Sequence, residues 1–173
     1  MDGRTQVRSI GALPLQREHY LAYGDVIAVD PALASASANN GTARRFDHVG
    51  AIENLRPAVA RPNLCLFRVQ PCLGGTFEVR MLERHHHSTQ VFLPLGGART
   101  LVIVCGGGNQ PDPQALAAFV AGPGAGFSYR PGTWHHPLVA LDRESDYACL
   151  VHEDGGEGDC EVRELPVAVR VTF

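Results

Sequence analysis

The sequence predicts a mainly β fold, an antiparallel β-barrel with a few short helices, in a single domain of residues 1–173. Three observations support this. The 19 glycines and 12 prolines are turn formers in a number that suits short strands better than a helical bundle. Many segments alternate apolar and polar residues with the period of a strand. Two histidine-rich runs, 83–90 and 130–137, lie far apart in strand-rich surroundings, as expected of residues that meet inside a barrel.

The composition limits the class of protein and its partners. Hydrophobic residues make up 45% of the chain and charged residues 19%, which indicates a folded globular chain rather than a disordered one. A formal net charge of -3 gives no reason to expect nucleic acid or an anionic membrane as a partner. We expect no membrane span, because no apolar run is long enough. The five cysteines lack paired spacing, which predicts reduced thiols and a cytoplasmic protein.

Two short helices are expected. The first covers 15–23, and Gly24 stands where a helix commonly stops. The second covers 114–120, because Asp112 can cap its first turn and Pro113 suits its first position. The small polar residues 32–43 predict a loop, and the glycines 106–108 predict a turn.

The strand at 64–70 has two distinguishable faces. Leu64, Leu66 and Arg68 alternate on one face. The other face carries Cys65, Phe67 and Val69. Because the face of Leu64 and Leu66 is apolar, we expect it to line the interior. Arg68 would then point into the barrel.

The next strand ends in two polar residues on an apolar face. Phe77, Val79 and Met81 share a face, and the same period brings Glu83 and His85 to it. An apolar face that ends in a carboxylate and an imidazole is what the mouth of a barrel would show. Further strands are predicted at 91–95, 99–105, 126–130, 137–142, 146–152, 161–165 and 167–173.

The spacing of the two histidine runs resembles the paired motifs of the cupin superfamily. Those motifs are His-x-His-x4-Glu-x6-Gly and Pro-x-Gly-x2-His, and their residues hold a divalent metal inside a small barrel. Here Glu83 stands at the first histidine position, His85 matches the second, Gln90 replaces the glutamate and His135 matches the last histidine. Two imidazoles, a carboxylate and an amide bind a soft metal less firmly than the full set. His87 could add a third imidazole, since it shares the strand face of His85.

The remaining residues of the two runs have a structural interpretation. His86 and His136 are expected to be solvated turn residues, and Trp134 a packing anchor beside the site.

Seven segments of the chain form a recognisable series when taken in order: residues 23–27, 39–41, 67–68, 82–85, Gln90, 92–94 and 134–138. Together they resemble the ureidoglycolate lyase family across most of the chain. The resemblance implies a cupin-like, jelly-roll type barrel, usually a homodimer, that cleaves (S)-ureidoglycolate to glyoxylate and urea in allantoin and purine nitrogen catabolism. Nickel or another divalent ion such as manganese is associated with the family.

The substrate implied by this resemblance is a small hydroxy acid, and two residues are candidates to bind it. Its carboxylate needs a bidentate donor, for which Arg68 is the candidate; the alternative is that Arg68 forms a structural ion pair. Asn40 could hydrogen-bond the urea end, or it could simply form a left-handed turn with its neighbours.

The reaction needs one proton removed from the hydroxyl and one delivered to the departing nitrogen. A metal held by His85, Gln90 and His135 could lower the pKa of the hydroxyl, or one of the two histidines could take its proton directly. Glu83 could protonate the nitrogen if burial raises its pKa. If Glu83 binds the metal instead, it stays ionised and cannot do so.

Two other functions remain open. Glu83, His85 and His135 supply the two imidazoles and one carboxylate that iron oxygenases favour, so another metal-dependent cupin enzyme, a dioxygenase or an isomerase, is possible. The other alternative is a non-catalytic module that binds a carboxylate ligand. Gln90 stands in place of the motif's glutamate, and this incomplete ligand set favours the binding module more than a full motif would. In a homodimer, the alternating run Val167–Phe173 could be an edge strand or an exchanged strand.

Overall fold

The computed structural model describes residues 8–106 and 108–173. Among them, one short helix, α1 (Arg17–Tyr20), and three 3-10 turns accompany sixteen strands. The strands are β1 (Arg8–Gly11), β2 (Leu13–Pro14), β3 (Val26–Ile27), β4 (Ala36–Ala38), β5 (Ala43–Arg45), β6 (Arg61–Val69), β7 (Pro71–Cys72), β8 (Thr76–Arg84), β9 (Gln90–Pro94), β10 (Thr100–Cys105), β11 (Leu116–Ala121), β12 (Gly126–Tyr129), β13 (Trp134–His135), β14 (Val139–Leu141), β15 (Ser145–Glu153) and β16 (Glu161–Thr172).

Two sheets make up most of the molecule. The larger sheet has nine strands and runs β1-β16-β8-β13-β10-β11-β2, with β14 paired to both β10 and β7. The smaller sheet runs β3-β12-β9-β15-β6, and β4 and β5 form a separate hairpin. Most pairs are antiparallel, so the predicted mainly β fold class is confirmed. No helix in the described part of the chain is long and apolar enough to span a membrane.

Both faces of the larger sheet are buried at β10. Val102 and Val104 pack in a core shared with residues of the smaller sheet such as Phe92. Leu101 and Ile103 point the other way, into a second core that includes Trp134. Burial on both faces explains why β10 is apolar from Leu101 to Cys105 rather than alternating.

The predicted second helix is wrong, and a strand takes its place. Asp112 does cap a turn, because its Oδ1 accepts a hydrogen bond from the Gln114 N–H at 2.8 Å. That turn is a single 3-10 turn at Pro113–Ala115, and β11 follows it immediately. Leu116 and Phe119 are both buried, in different cores, so pairing with β10 overrides the helical propensity of the segment.

Other expectations need smaller corrections. The first helix is shorter than predicted and covers only Arg17–Tyr20. The loop predicted at 32–43 holds the hairpin strand β4 and the start of β5. In the predicted glycine turn, residue 107 lies outside the described residues. The two C-terminal strand predictions are one strand, β16, which lies between β8 and β1. The expectation of an edge strand at Val167–Phe173 is therefore wrong, and that of an exchanged strand stays a prediction.

Strict alternation also fails within β8. Val79 and Leu82, three residues apart, pack in the same core, whereas the sequence pattern placed Val79 on the face of Glu83. The pairing of β8 with β16 shifts register between Glu164 and Val169, which marks a bulge opposite Arg80. The extra residues of this irregularity lie in β16, and opposite it β8 changes face between Val79 and Leu82, so Glu83 leaves the apolar row.

Candidate functional site

Two neighbouring strands bring the predicted site residues together. Glu83 near the end of β8 is paired in register with His135 on β13, and His85 follows β8 directly. Ligand atoms of Glu83, His85 and His135 all lie within 4.8 Å of one another. The two motifs, about fifty residues apart in sequence, therefore meet because β8 and β13 are hydrogen-bonded neighbours.

His135 is buried and rigidly held. Its ring is stacked on that of Tyr129, with centroids 3.9 Å apart and planes 12° apart. Its Nδ1 lies 2.8 Å from the Thr133 carbonyl oxygen. A carbonyl oxygen only accepts, so Nδ1 carries the proton and Nε2 of the neutral ring keeps its lone pair.

The same arrangement recurs at His85. Its Nδ1 lies 3.0 Å from the Asp159 carbonyl oxygen, which again leaves Nε2 free. The rings of His85 and His135 lie nearly parallel, with centroids 5.9 Å apart. Burial and the neighbouring His135 lower the pKa of His85, so its neutral form is favoured. A backbone carbonyl that fixes the tautomer of a histidine is the usual support of a metal-binding imidazole.

Glu83 faces the free nitrogen of His135. Its Oε1 lies 3.5 Å from His135 Nε2, yet that buried nitrogen has no hydrogen-bond partner in the described part of the chain. Burial raises the pKa of the Glu83 carboxyl, but His135, His85 and His136 outweigh it and the net pKa is lowered. The condition for a proton-donating Glu83, a raised pKa, is therefore not met.

This donor set fits a divalent metal ion. A carboxylate and two imidazole nitrogens lie within 4.8 Å of one another, and His135 Nε2 has no hydrogen-bond partner among the described residues. Two facing acceptors are stable only with a cation or a shared proton between them. Two imidazoles and one carboxylate suit several divalent transition metals.

Gln90 is also buried near the centre of the smaller sheet. It begins β9 and is paired with Tyr129 on β12. Its side-chain oxygen is buried and has no hydrogen-bond partner among the described residues, so it is available as a ligand. Its role as a metal ligand stays a prediction. His87, the other candidate imidazole, is not part of the group around Glu83.

The prediction that Arg68 points into the barrel is wrong. The side chains of Leu64 and Leu66 are 72% and 71% exposed, so the apolar face of β6 is the outer one. Arg68 lies on that face and binds Asp146 through two hydrogen bonds of 2.8 and 2.9 Å. This is the structural ion pair given above as the alternative. Because Asp146 occupies the guanidinium, Arg68 is not placed to bind the carboxylate of a substrate. Both faces of β6 carry apolar residues, which is why the pattern selected the wrong one.

Asn40 lies in an exposed 3-10 turn, Asn39–Gly41, and has a φ of 55°. It therefore adopts the left-handed turn that was the alternative to a substrate contact. No hydrogen bond within the described part of the chain connects its side chain to the site, and the geometry gives its predicted substrate role no support.

Trp134 and Arg84 point away from the site. Trp134 is fully buried in the second core, and its Nε1 donates to the Gly108 carbonyl oxygen at 3.2 Å. The Arg84 guanidinium lies 4.2 Å from the centroid of the Trp134 ring and binds Glu161. The expected anchoring role of Trp134 is what the structure shows. His86 differs from expectation, because it also binds Glu161, at 2.6 Å.

Sequence reasoning missed three contributors to the site. Tyr129 had a detectable signal, because it alternates with the buried Phe127 and so shares its inward face. Asp159 had none, since it acts through its backbone carbonyl, which no side-chain pattern encodes. Cys160 lies at the rim, with its Sγ 3.9 Å from Glu83 Oε2.

Comparison with known proteins agrees with this geometry. A family model described as "Ureidoglycolate lyase" matches residues 7–172. A ureidoglycolate lyase from Burkholderia cepacia is 35% identical over 159 residues, which cover 92% of this chain and 88% of that protein. One from Escherichia coli O6:H1 is 34% identical over 154 residues, covering 89% and 92%. A solved structure, a dTDP sugar isomerase from Desulfovibrio desulfuricans G20, aligns with a TM-score of 0.48 at 16% identity over 83% of each chain, too weak a likeness to carry an argument.

Proposed function

The chain belongs to the ureidoglycolate lyase family, and we propose that it cleaves (S)-ureidoglycolate to glyoxylate and urea in allantoin and purine nitrogen catabolism. The observation that carries the proposal is a family match over 7–172 whose paired motifs converge on Glu83, His85 and His135. We also propose that residues 1–173 form one catalytic domain. In support, β1 near one end of the chain pairs with β16 at the other.

The reaction is an internal redistribution of one proton. The substrate carries a hydroxyl and a ureido nitrogen on the same carbon. As the hydroxyl loses its proton, its oxygen forms the aldehyde double bond, and the electron pair of the carbon–nitrogen bond leaves with the nitrogen. That nitrogen takes up a proton and departs as urea. One group that accepts the hydroxyl proton and returns it to nitrogen completes the balance, with no oxidant or reductant.

The residues divide into two functional groups. His85, His135 and Gln90 would hold a divalent metal, nickel or manganese, which would supply a positive charge that lowers the pKa of a bound hydroxyl. Glu83 stays ionised at neutral pH because its pKa is lowered, so it is able to accept the hydroxyl proton and pass it to the nitrogen. Its carboxylate is equally able to complete the ligand set, which would leave that proton to another base.

The identity of the nitrogen product tests the reaction class. Purified protein incubated with (S)-ureidoglycolate, with nickel or manganese added in parallel samples, is expected to release urea and glyoxylate in equal amounts and no ammonia. A hydrolase acting on the urea end would release ammonia instead. Ammonia as the nitrogen product, or an unchanged substrate under all metal conditions, would contradict the proposal.

A dioxygenase is the second candidate, and one observation favours it. Two imidazoles and one carboxylate with room for further ligands is the arrangement of many iron oxygenases, and Glu83, His85 and His135 supply it. Oxygen uptake by the iron-loaded protein with small hydroxy acids would identify this activity. The lyase proposal expects none.

We propose that the protein is a homodimer paired through β6. This strand is at the end of the smaller sheet, and its only partner among the described strands is β15. Across β6, β15 and β9 the outer face is apolar, in the row formed by Leu66, Ala148 and Leu93. A second copy related by a twofold axis could lay the same row of its own sheet against this one, and the two apolar rows would cover each other.

We propose a cytoplasmic location. All five cysteines are free, and among them Cys65 and Cys149 lie directly opposite each other on β6 and β15. Free thiols in such proximity suit a reducing compartment.

A further inference from the structure

We propose that Arg56 is a positioning residue for His85, acting through the loop 154–159. This loop connects β15 to β16, and its last residue, Asp159, provides the carbonyl oxygen that fixes the His85 ring. Arg56 holds the loop in the position where that carbonyl faces His85. The inference rests on the proposed function for its catalytic consequence, although its structural effect is measurable without turnover.

The loop is held by one guanidinium that binds two carboxylates. Arg56 Nη1 lies 2.7 Å from Asp154 Oδ2, and Arg56 Nη2 binds Asp159 Oδ1. The other carboxylate oxygen of Asp159 accepts hydrogen bonds from the backbone N–H groups of Asp154 and Gly155, both at 2.9 Å. All three charged side chains are at most about a quarter exposed, so these contacts are less screened than surface ion pairs.

The composition of the loop explains why it needs such an anchor. Positions 155, 156 and 158 are glycines, and glycine loses more backbone freedom on ordering than any other residue. A loop with three glycines in six residues does not hold one carbonyl direction by itself. Arginine suits the task because its planar fork reaches two separate carboxylates, which the point charge of lysine does less well.

Arg56 is itself fixed to the segment that follows His85. The Arg56 N–H donates to Asn54 Oδ1 at 2.9 Å, and the Leu55 N–H donates to the His87 carbonyl oxygen at 2.7 Å. Asn54 also forms a β-bridge with Ser88. The chain on the C-terminal side of His85 and the loop over its ring are therefore connected through Arg56.

This connection determines which nitrogen of His85 is free. With the Asp159 carbonyl 3.0 Å from Nδ1, the proton resides on Nδ1 and the Nε2 lone pair is available to a metal or a substrate proton. If the loop moves, the proton can transfer to Nε2, and His85 then has no lone pair on Nε2 for a metal or a substrate proton. Arg56 is not a substrate-binding arginine, because both terminal nitrogens are occupied by carboxylates and the trio carries a net negative charge.

The test compares Arg56→Met with Arg99→Met. Arg99 is a suitable control because it is also held in two hydrogen bonds by a carboxylate, that of Asp142, and contacts none of the site residues. The tautomer of His85 is read from imidazole ¹⁵N shifts in the metal-free protein, assigned with His85→Gln. Nickel affinity is measured by calorimetry, and urea release by assay.

The proposal expects the Nδ1–H tautomer in the wild type and a mixture of both tautomers in Arg56→Met. Nickel affinity is expected to fall about 10- to 100-fold, as for the loss of other contacts that orient a ligand. Arg99→Met should leave both unchanged. Asp159→Asn, which keeps the backbone and the side-chain volume, repeats the test if Arg56→Met does not fold.

A folded variant that retains the wild-type tautomer and nickel affinity would overturn the proposal. A merely structural role would lower the unfolding midpoint and leave the ¹⁵N spectrum of the folded protein unchanged. If the wild type releases no urea but the tautomer of His85 still changes in Arg56→Met, the proposed function fails and this inference stands.

Discussion

At the scale of single residues, the site depends on which ring nitrogens carry protons. The Thr133 and Asp159 carbonyl oxygens hold the proton of each histidine on Nδ1. Both Nε2 lone pairs are thereby directed to the region of Glu83, where the carboxylate provides a third donor atom. Strand alternation and the resemblance to the paired motifs predict these three residues, but no side-chain pattern indicates the carbonyls.

Replacing Glu83 distinguishes its two possible roles. In Glu83→Gln, loss of a proton relay should lower the rate of urea release about 10²–10⁴-fold with nickel affinity unchanged. Loss of a ligand should weaken nickel binding together with the rate. Calorimetry and the urea assay on one preparation decide between the two roles. Glu164 is an exposed glutamate on β16, so the control variant Glu164→Gln should match the wild type in nickel affinity and in rate. Unchanged rate and affinity in Glu83→Gln would remove Glu83 from the site.

Acid should destabilise the metal-free protein through the same residues. The pKa of His85 is below its ordinary 6.5, owing first to burial, and the net pKa of Glu83 is below 4.5. The unfolded chain therefore binds protons at a higher pH than the folded chain, and the free energy of unfolding falls as the pH drops below about 6.5. The lowered pKa of His136 adds to this dependence.

Denaturant unfolding between pH about 8 and about 5 measures the effect. His85→Gln should reduce the decline in unfolding free energy below pH about 6.5 without abolishing it, because His136 remains. A decline as steep as in the wild type would show that His85 does not take part.

At the scale of elements, β12 is held in place by α1 and by the segment that follows it. The Tyr20 hydroxyl donates to the Ser128 carbonyl oxygen at 3.0 Å, and Asp25 exchanges hydrogen bonds with Ser128. The segment that follows α1 thus lies alongside β12, whose last residue, Tyr129, stacks on His135. These contacts therefore hold the strand that carries Tyr129, and Tyr20 packs in the same core as that tyrosine.

Gly24 is the position where this packing is most sensitive. A Cβ there would lie 1.8 Å from the Ser128 carbonyl oxygen, so Gly24→Ala should lower the free energy of unfolding by about 1–3 kcal/mol or more. A Cβ at Gly122 would meet no atom within 4 Å, and Gly122→Ala should be nearly neutral. Denaturant unfolding measures the free energy of unfolding of both variants. Equal values for Gly24→Ala and Gly122→Ala would show that the segment at Gly24 does not pack closely on β12.

Elements also show where sequence patterns succeed and fail. The strands β9, β10 and β12 were predicted within one residue at each end, because turn residues bound each of them. The pattern at 114–120 predicts a helix where β11 lies, since short apolar runs lack a distinguishing period. The pattern places Arg68 on the wrong face because both faces of β6 carry apolar residues, and only the packing of Cys65 and Val69 against the core decides which face is buried.

At the scale of the whole molecule, β6 connects the fold to the proposed assembly. It is the last strand of the smaller sheet and exposes Leu64 and Leu66, although the ion pair of Arg68 with Asp146 closes one end of this apolar face. Large exposed apolar side chains in adjoining rows commonly mark an interface.

Light scattering after size-exclusion chromatography tests the assembly. The wild type should have the mass of two chains, and Leu66→Glu should shift it towards one chain because a charge enters the apolar row. Leu73→Glu is the control, since Leu73 is equally exposed, at 71%, in the turn after β7. A monomeric wild type, or a Leu66→Glu variant that remains dimeric, would contradict pairing through β6.

The measurement that tests the account most directly is urea and glyoxylate release from (S)-ureidoglycolate by the wild type and by His135→Gln at equal metal load. We expect one urea per glyoxylate from the wild type and a loss of about 10²-fold or more in the variant, because its amide cannot replace the lone pair of a fixed imidazole. No urea from the wild type, or equal rates in both proteins, would contradict it.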